Sequence, residues 1–250
     1  MARAARLSTP PPPARSRARI ASDARTALTW LERRGTRRNR DGMARYGITA
    51  AKAFGVSMAT MQTLARRLGR DHDLARALWR SGWHEARILA ALVGEPDRLT
   101  PAEMDAWCRD FDNWAVCDTV CLHLFDKSPL AWRKVRAWAR RRGEFEKRAA
   151  FALLAGLALH DRRAREARFH AVWPLIERAA TDPRHYVRKG VSWALRAIGH
   201  RSLALHGAAV DLATRFARAE DPSTRWIGRD ALRDLTRPAV RTRVGARPLS

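Results

Sequence analysis

The chain has 250 residues, and its 49 lysines and arginines against 25 aspartates and glutamates give a net charge of +24. Such an excess of basic residues goes far beyond what solubility requires and favours a nucleic acid as partner, with an anionic membrane surface or an acidic protein as alternatives. No apolar run reaches the roughly 18 residues that a membrane-spanning helix needs, so we predict no such helix.

The chain begins with a basic, proline-rich segment, residues 1–20, that lacks the apolar stretch of a secretory signal. We predict a disordered arm there that contacts phosphates, with an organellar transit peptide as the alternative. Residues 238–250 are predicted to be a frayed basic tail. The folded domain is then expected to span residues 21–237.

Between these ends the sequence predicts helices and almost no strand. Val, Ile and Tyr are sparse, whereas Ala, Leu and Arg dominate, and no hairpin signal lies between alternating apolar runs. Short turns that contain Gly, Pro or Asp separate the predicted helices, which are 22–34, 43–54, 57–69, 72–81, 84–93, 101–109, 113–126, 129–140, 144–159, 166–180, 185–199, 203–219 and 222–236.

Two helix starts carry capping signals. Thr100 precedes Pro101, and Glu103 follows three residues after Thr100, which together predict a capping box. Asp112 is predicted to cap the helix that carries Trp114.

The later helices repeat one another. Segments 181–199 (TDPRHYVRKGVSWALRAIG) and 220–236 (EDPSTRWIGRDALRDLT) both begin near an Asp-Pro pair and contain Ala-Leu-Arg, and 144–161 is similar to them. A helix-pair period of about 40 residues is typical of HEAT-like α-solenoids. We therefore predict an all-α fold, a right-handed α-solenoid of HEAT-like helix pairs with a concave basic DNA-binding face. A globular helix bundle is the alternative.

One stretch, residues 48–69 (ITAAKAFGVSMATMQTLARRLG), mimics a helix-turn-helix. Its second helix would place Gln62 and Thr63 on base edges in the major groove of an operator. Met58 and Met61 argue against that interpretation, and the same residues also suit the first helix pair of a solenoid.

The three cysteines, Cys108, Cys117 and Cys121, are too few and too clustered for a disulfide framework. Together with His123 they match no standard zinc spacing, so we predict core positions, no metal site and a reducing cytoplasmic location.

A second stretch, DFDNWAVCDTV at 110–120, places Trp114 and Asp118 four residues apart and thus on one face of a helix. Apolar residues surround Asp118, and a buried carboxylate without a partner costs several kcal/mol. Asp118 is therefore either a functional group or the ion-pair partner of an arginine.

Three further residues, Arg148, Lys189 and Trp193, fall at or near the start of the second helix of a repeat. If the repeats stack in register, two tryptophans and a carboxylate meet in one cleft, flanked by Arg148 and Lys189. Such a carboxylate can stabilise a developing cation or orient a water molecule, and indole faces attract cations. Cleavage of the N-glycosidic bond of an alkylated purine creates such a charge, and its cationic base leaves without an acid catalyst.

The sequence resembles the DNA alkylation repair (AlkD-like) family of HEAT-repeat DNA glycosylases over about residues 42 to 236. The segments that carry the resemblance are HDLARALWRSGWHEARILAALV, MDAWCRDFDNWAVCDTVCLHLF, EFEKRAAFALLAGLALHD and VRKGVSWALRAIG. The family's Trp-x-x-x-Asp matches Trp114 and Asp118, its basic residue matches Arg148, and its second cleft tryptophan matches Trp193.

The resemblance implies excision of N3- and N7-alkylated purines from double-stranded DNA, without metal or cofactor and without base flipping. It implies that Asp118 stabilises the oxocarbenium ion and positions water, that Trp114 and Trp193 contact the sugar, and that Arg148 contacts phosphate. Lys189 and Arg188 are our own candidates for DNA binding. We expect a monomeric bacterial cytoplasmic protein, held at the nucleoid by DNA and not associated with membranes.

Three other functions remain open at this point. A non-catalytic HEAT module would bind bent or damaged duplex through the same basic face, with an affinity that falls steeply as salt rises. A helix-turn-helix regulator would depend on Gln62 and Thr63 instead. A protein–protein scaffold is disfavoured by the charge.

Overall fold

The structure is a computed structural model that describes residues 16–246, and within that range it contains helices and no strand. The all-α prediction is thus confirmed. The helices are α1 (Arg17–Glu32), α2 (Arg37–Arg45), α3 (Met58–Leu68), α4 (His72–Arg80), α5 (His84–Val93), α6 (Pro101–Arg109), α7 (Trp114–His123), α8 (Ala131–Trp138), α9 (Glu144–His160), α10 (Glu166–His170), α11 (Trp173–Ala180), α12 (His185–Gly199), α13 (Leu203–Ala217), α14 (Pro222–Leu235) and α15 (Pro238–Gly245). Short 3-10 turns lie at Pro96–Arg98 and Phe125–Lys127.

The helices stack as pairs in two layers. In one layer, which we call the central row, α3, α5, α7, α9, α12 and α14 each contact the next member. Helices α4, α8, α11 and α13 pack beside the row, each against its chain neighbour α5, α9, α12 or α14. Because successive members of the row contact one another, each pair buries its apolar face against the pairs before and after it, as the repeats predicted.

Helix α9 is the most buried member of the central row. Every residue from Arg148 to Ala158 is buried, whereas Leu159 in the last turn is 48% exposed. Many of these residues are alanines, so α7 on one side and α12 on the other approach closely. Among residues 16–246, no helix is long and apolar enough to cross a membrane.

Tryptophan side chains connect successive parts of the stack by hydrogen bonds to carboxylates 31 and 33 residues away along the chain. The indole N–H of Trp79 donates to Asp110 at 2.8 Å, and that of Trp138 donates to Asp105 at 2.7 Å. A buried indole needs such a partner. Most of the ten tryptophans in the sequence therefore belong to the framework of the fold.

The capping predictions are correct in part. The Thr100 hydroxyl accepts the Glu103 backbone N–H at 3.1 Å. The Glu103 carboxylate does not complete the box, because it accepts hydrogen bonds from His72 and Arg76 on α4 instead. The cap of α7 is Asn113, whose side chain accepts the N–H of Val116, so the assignment of the cap to Asp112 was wrong.

The predicted helix at 43–54 is wrong. Helix α2 ends at Arg45, and residues 46–57, which we call the strap, run without further helix to the start of α3. The buried carboxylate of Glu85 holds the far end of the strap, where it accepts backbone N–H groups from Phe54, Gly55 and Val56. The backbone leaves the helical conformation at Gly47, whose φ is +67°, and the Phe54 N–H bonds to Glu85 instead of to residue 50. The first helix of a helix-turn-helix is therefore absent, and that interpretation is wrong as well.

Both ends of the described chain are more ordered than predicted. Helix α1 begins at Arg17, inside the segment 1–20, because the Ser16 hydroxyl caps it by accepting the N–H of Arg19. Helix α15 occupies most of the predicted tail, and buries Val240 and Val244 next to α13 and α14. The remainder of the predicted arm, 1–15, and of the tail, 247–250, lies outside the described residues.

The three cysteines occupy the core, as predicted. All are free and buried, and the thiols of Cys117 and Cys121 point at the carbonyls of Phe145 and Ala149 on α9 at 3.7 and 3.5 Å. The described residues contain no group of three or more His, Cys, Asp or Glu side chains that could hold a metal ion.

Candidate active-site cleft

A cleft of about 570 Å³ opens at one edge of the central row. Three consecutive members of the row contribute residues from their N-terminal halves, and the end of α2 with the start of the strap forms the opposite wall. Of the six residues predicted for the site, the cleft contains four. Its lining consists of Arg45, Tyr46, Gly47, Trp114, Asp118, Arg148, His185, Tyr186 and Lys189.

The centre of the cleft is an ion pair between Asp118 on α7 and Arg148 on α9. The guanidinium is bidentate, with Nη2 at 2.6 Å from Oδ2 and Nε at 2.9 Å from Oδ1. Its remaining nitrogen, Nη1, donates to the backbone carbonyl of Tyr186 at 2.9 Å. All three guanidinium nitrogens of Arg148 are thus engaged inside the protein, and the side chain holds Asp118 in place.

The pair is nearly buried, with 14% of the Asp118 side chain and 7% of the Arg148 side chain exposed. Burial raises the pKa of Asp118 above the usual carboxyl range, and the charge of Arg148 opposes that effect. Burial also acts to lower the pKa of Arg148, but the carboxylate outweighs it and raises that pKa. The arginine therefore favours the ionised form of a carboxylate that burial alone would tend to protonate.

The strap crosses the cleft and is bonded to both walls. The indole N–H of Trp114 donates to the carbonyl of Tyr46 at 2.9 Å, and the hydroxyl of Tyr186 donates to the carbonyl of Gly47 at 3.0 Å. Gly47 has a φ of +67°, and a Cβ there would lie 2.6 Å from the Tyr186 hydroxyl, so a glycine is required. The Tyr46 side chain itself remains 73% exposed at the mouth.

Cationic groups occupy the wall formed by α12. Lys189 is exposed on that wall, one turn after His185. Burial lowers the pKa of His185, and the nearby charges of Lys189 and Arg188 lower it further. Arg188 does not line the cleft, since its guanidinium lies over the ring of Trp226 at 4.7 Å. This stacking leaves Arg188 at the side of the cleft that continues toward α14.

Trp193 is not brought to the cleft. It lies one helical turn beyond Lys189 on α12, half-buried, and packs against the hydrophobic core. The structure thus brings together Trp114, Asp118, Arg148 and Lys189, and sets Trp193 and Arg188 beside them.

Sequence reasoning missed the aromatic residues Tyr186 and Tyr46 and the glycine between the two walls, Gly47. Tyr186 carried a usable signal, because it lies three residues before Lys189 and shares its helical face. Tyr46 and Gly47 carried none, since their partners Trp114 and Tyr186 are 68 and 139 residues away along the chain.

The arrangement suits chemistry at a cationic centre on a polyanion. An ionised carboxylate at the floor of a cleft can stabilise positive charge that develops next to it or orient a water molecule. The neighbouring indole and phenol rings offer flat faces to a sugar, and Lys189 offers a charge to a phosphate. The carboxylate itself would not bind phosphate, because both groups are negatively charged.

Comparisons with known proteins identify the family and the fold. A family model described as "DNA alkylation repair enzyme" matches residues 27–235. A similar solved structure comes from work described as "A new family of proteins related to the HEAT-like repeat DNA glycosylases with affinity for branched DNA structures". The two share 17% identity with a TM-score of 0.71, over 88% of this chain and 95% of that chain, which shows a common HEAT-like fold. Sequence comparison with curated proteins finds no match.

Proposed function

Because the chain belongs to the DNA alkylation repair enzyme family, we propose that it is a monofunctional DNA glycosylase that hydrolyses the N-glycosidic bond of N3- and N7-alkylated purines in duplex DNA. The observation that carries the proposal is Asp118, a nearly buried carboxylate at the floor of a cleft whose other charged groups are cationic. A carboxylate in that position suits a developing oxocarbenium ion better than it suits any anionic part of DNA.

The reaction would proceed at C1′ of the damaged nucleotide. The bond between C1′ and the purine nitrogen breaks, and its electron pair leaves with the base, which neutralises the positive charge that alkylation had placed there. The sugar becomes oxocarbenium-like, and Asp118 stabilises it and orients a water molecule. The water oxygen bonds to C1′ and loses a proton to the surrounding solvent, which leaves an abasic site and a free, neutral alkylated base. A leaving group that is already cationic needs no acid, so one carboxylate suffices, and no metal or cofactor is required.

Each neighbour of Asp118 has a proposed role. Trp114 contacts the deoxyribose, and Lys189 contacts a backbone phosphate. Arg148 acts through Asp118 by keeping it ionised. Trp193 and Arg188, beside the cleft on α12, are proposed to contact the sugar and the phosphates of the flanking nucleotides.

The substrate would be held without base flipping. The cleft is open and lined by charged and aromatic side chains, and it suits a sugar-phosphate backbone laid against α7 and α12 while the lesion stays in the duplex. We propose that the protein acts as a monomer on duplex DNA in the bacterial cytoplasm.

A second candidate is a non-catalytic protein that binds damaged or branched DNA. The bidentate pairing of Asp118 with Arg148 favours it, because the carboxylate already has a partner in the free protein. The similar solved structure comes from work that describes proteins with affinity for branched DNA.

Release of N7-methylguanine from alkylated duplex DNA distinguishes the two candidates. We expect the wild type to release the base and Asp118→Asn to release it at least a hundredfold more slowly, with DNA binding kept or strengthened. Asp211→Asn, which changes an exposed aspartate on α13, is the matched control and should retain full activity. Tight salt-sensitive binding without release by the wild type would assign the chain to the binding class.

A further inference from the structure

Tyr186 occupies a junction between the strap and the ion pair. Its hydroxyl donates to the Gly47 carbonyl, and its backbone carbonyl accepts Nη1 of Arg148. Its backbone N–H donates to the carboxylate of Glu144 in the first turn of α9 at 2.9 Å. One residue thus connects the strap with the group that holds Asp118.

The strap is held unequally at its two ends. At the far end, the buried Glu85 carboxylate accepts three backbone N–H groups, and the His84 N–H donates to the carbonyl of Lys52. At the cleft, two neutral hydrogen bonds join the strap to the opposite wall, one from the Trp114 indole and one from the Tyr186 hydroxyl. Hydrogen bonds that involve a carboxylate are stronger than those between neutral groups, so the end at the cleft is the one that opens first.

Helix α2, which leads into the strap, is bonded to the far end of the strap, where the Asn39 side-chain amide donates to the Gly55 carbonyl at 3.0 Å. None of its residues is buried, and it carries four arginines. A segment with few buried apolar contacts opens locally at low cost. The two bonds to the cleft walls therefore decide how closely the strap lies on Asp118.

We propose that Tyr186 is a positioning residue that latches the strap across the cleft and thereby limits the size of lesion that the cleft admits. With the latch closed, the cleft of about 570 Å³ holds the sugar-phosphate backbone, and a bulky adduct that projects from the stacked base beside it meets the strap. With the latch open, a bulkier adduct gains room, and the Arg148 contact to the Tyr186 carbonyl is retained. The lesion as ligand rests on the proposed function; the latch itself rests on the contacts alone.

Tyr186→Phe tests the latch, because it removes the hydroxyl and keeps the ring beside Phe145 as well as the backbone carbonyl. Thr214→Val is the matched control, since that hydroxyl also donates to a backbone carbonyl, at 2.8 Å, but within α13. Gly47→Ala is a second way to open the latch, as its new Cβ would collide with the Tyr186 hydroxyl.

The first readout is hydrogen exchange of the strap amides in the free protein. Because Tyr186→Phe loses one neutral hydrogen bond, we expect the amides of residues 46–51 to exchange about fivefold faster in that variant. In Thr214→Val, their exchange rates should not change. The second readout is affinity for two duplexes with 2′-fluoro sugars that cannot lose the base, one with N7-methylguanine and one with a bulky N7 adduct. We expect the bulky-to-methyl affinity ratio to rise about fivefold in Tyr186→Phe, and to rise in Gly47→Ala as well.

Neither readout requires excision, so an inactive wild type would contradict the proposed function and leave the latch intact. Equal exchange in all variants, or an unchanged affinity ratio despite faster exchange, would overturn the inference. A purely structural role of Tyr186 would lower affinity for both duplexes equally and leave the ratio as it was.

Discussion

At the scale of single residues, the ion pair of Arg148 with Asp118 is the arrangement on which the proposed chemistry depends. A buried carboxylate must be ionised to stabilise an oxocarbenium ion, and burial works against ionisation. The bidentate guanidinium, fixed inside the protein, opposes the effect of burial on the pKa of Asp118. The residue for which the family resemblance implies a phosphate contact is paired with the carboxylate in the structure.

Replacing Arg148 by glutamine should move the pH profile of base release. Without the cation, the pKa of Asp118 rises further, so its protonated, inactive form persists to higher pH. We expect the acid limb of the single-turnover rate to move upward by about 1 to 3 pH units and activity to recover as pH rises. The free energy of unfolding should fall by about 3 kcal/mol, because an uncompensated carboxylate stays buried.

Arg136→Gln, at an exposed position on α8, is the control for that experiment and should leave both the profile and the stability unchanged. An acid limb at the same pH in the wild type and in Arg148→Gln would show that the arginine does not govern the ionisation of Asp118.

Sequence could predict Asp118 and the possibility of an arginine partner, because both follow from the cost of burying a charge. It could not select Arg148 as that partner, since the two are 30 residues apart and the alternative role, phosphate binding, uses the same side chain. Trp193 shows the opposite limit. Its helix was predicted correctly, but Trp193 lies one turn beyond the residues that line the cleft and packs half-buried against the core.

At the scale of helices, Glu103 ties α6 to α4. Its carboxylate accepts hydrogen bonds from Arg76 Nε at 2.8 Å and pairs with His72 Nε2 at 3.1 Å. Burial alone would raise the pKa of Glu103, but these partners outweigh it and lower the pKa from 4.5 to about 2. The folded state therefore binds this proton less readily than the unfolded chain does.

The contacts of Glu103 with His72 and Arg76 should make the protein more stable at neutral pH than at acidic pH. Their contribution is fully present above pH 4.5 and is lost as pH falls toward 2, because the carboxylate is then protonated in both states. Glu103→Gln should lower the free energy of unfolding by about 3 kcal/mol at pH 6 and by almost nothing near pH 2. Urea unfolding at several pH values would measure this.

Glu177→Gln serves as the comparison, because that carboxylate pairs with Arg215 at the surface, where 44% of its side chain is exposed. Its effect should stay below about 0.5 kcal/mol at every pH. If Glu103→Gln lowered the free energy of unfolding as much near pH 2 as at pH 6, His72 and Arg76 would not be lowering the pKa of Glu103.

Helices as elements were largely predictable, since apolar period, caps and turns are local signals. The strap was not, because its conformation depends on Glu85, about 30 residues further on, which takes up its backbone N–H groups. Pattern alone assigned 43–54 to a helix, whereas α2 ends at Arg45.

At the scale of the whole molecule, the excess of basic residues should dominate affinity for DNA. Each phosphate neutralised by the protein releases a counterion, and the slope of log affinity against log salt changes by about 0.9 per contact. If Lys189 contacts a phosphate, Lys189→Ala should flatten that slope by about 1. Filter binding or fluorescence anisotropy over a range of salt would measure it.

Lys127→Ala removes the same charge from an exposed site just after the C-terminal end of α7, away from the cleft, and should leave the slope unchanged. Equal slopes for the wild type and Lys189→Ala would exclude a phosphate contact at this residue. Since the slope counts contacts regardless of catalysis, the experiment holds for either proposed function.

The buried thiols have a practical consequence. Burial raises the pKa of both Cys108 and Cys121, and all three cysteines in the sequence lie in the core. A reagent that attacks thiolates should therefore leave these three cysteines unmodified in the native protein. One cysteine introduced on the strap could then carry a fluorophore or spin label as the sole modified site, without removal of the natural cysteines. The fold thus offers a ready-made way to observe the cleft opening on DNA in real time.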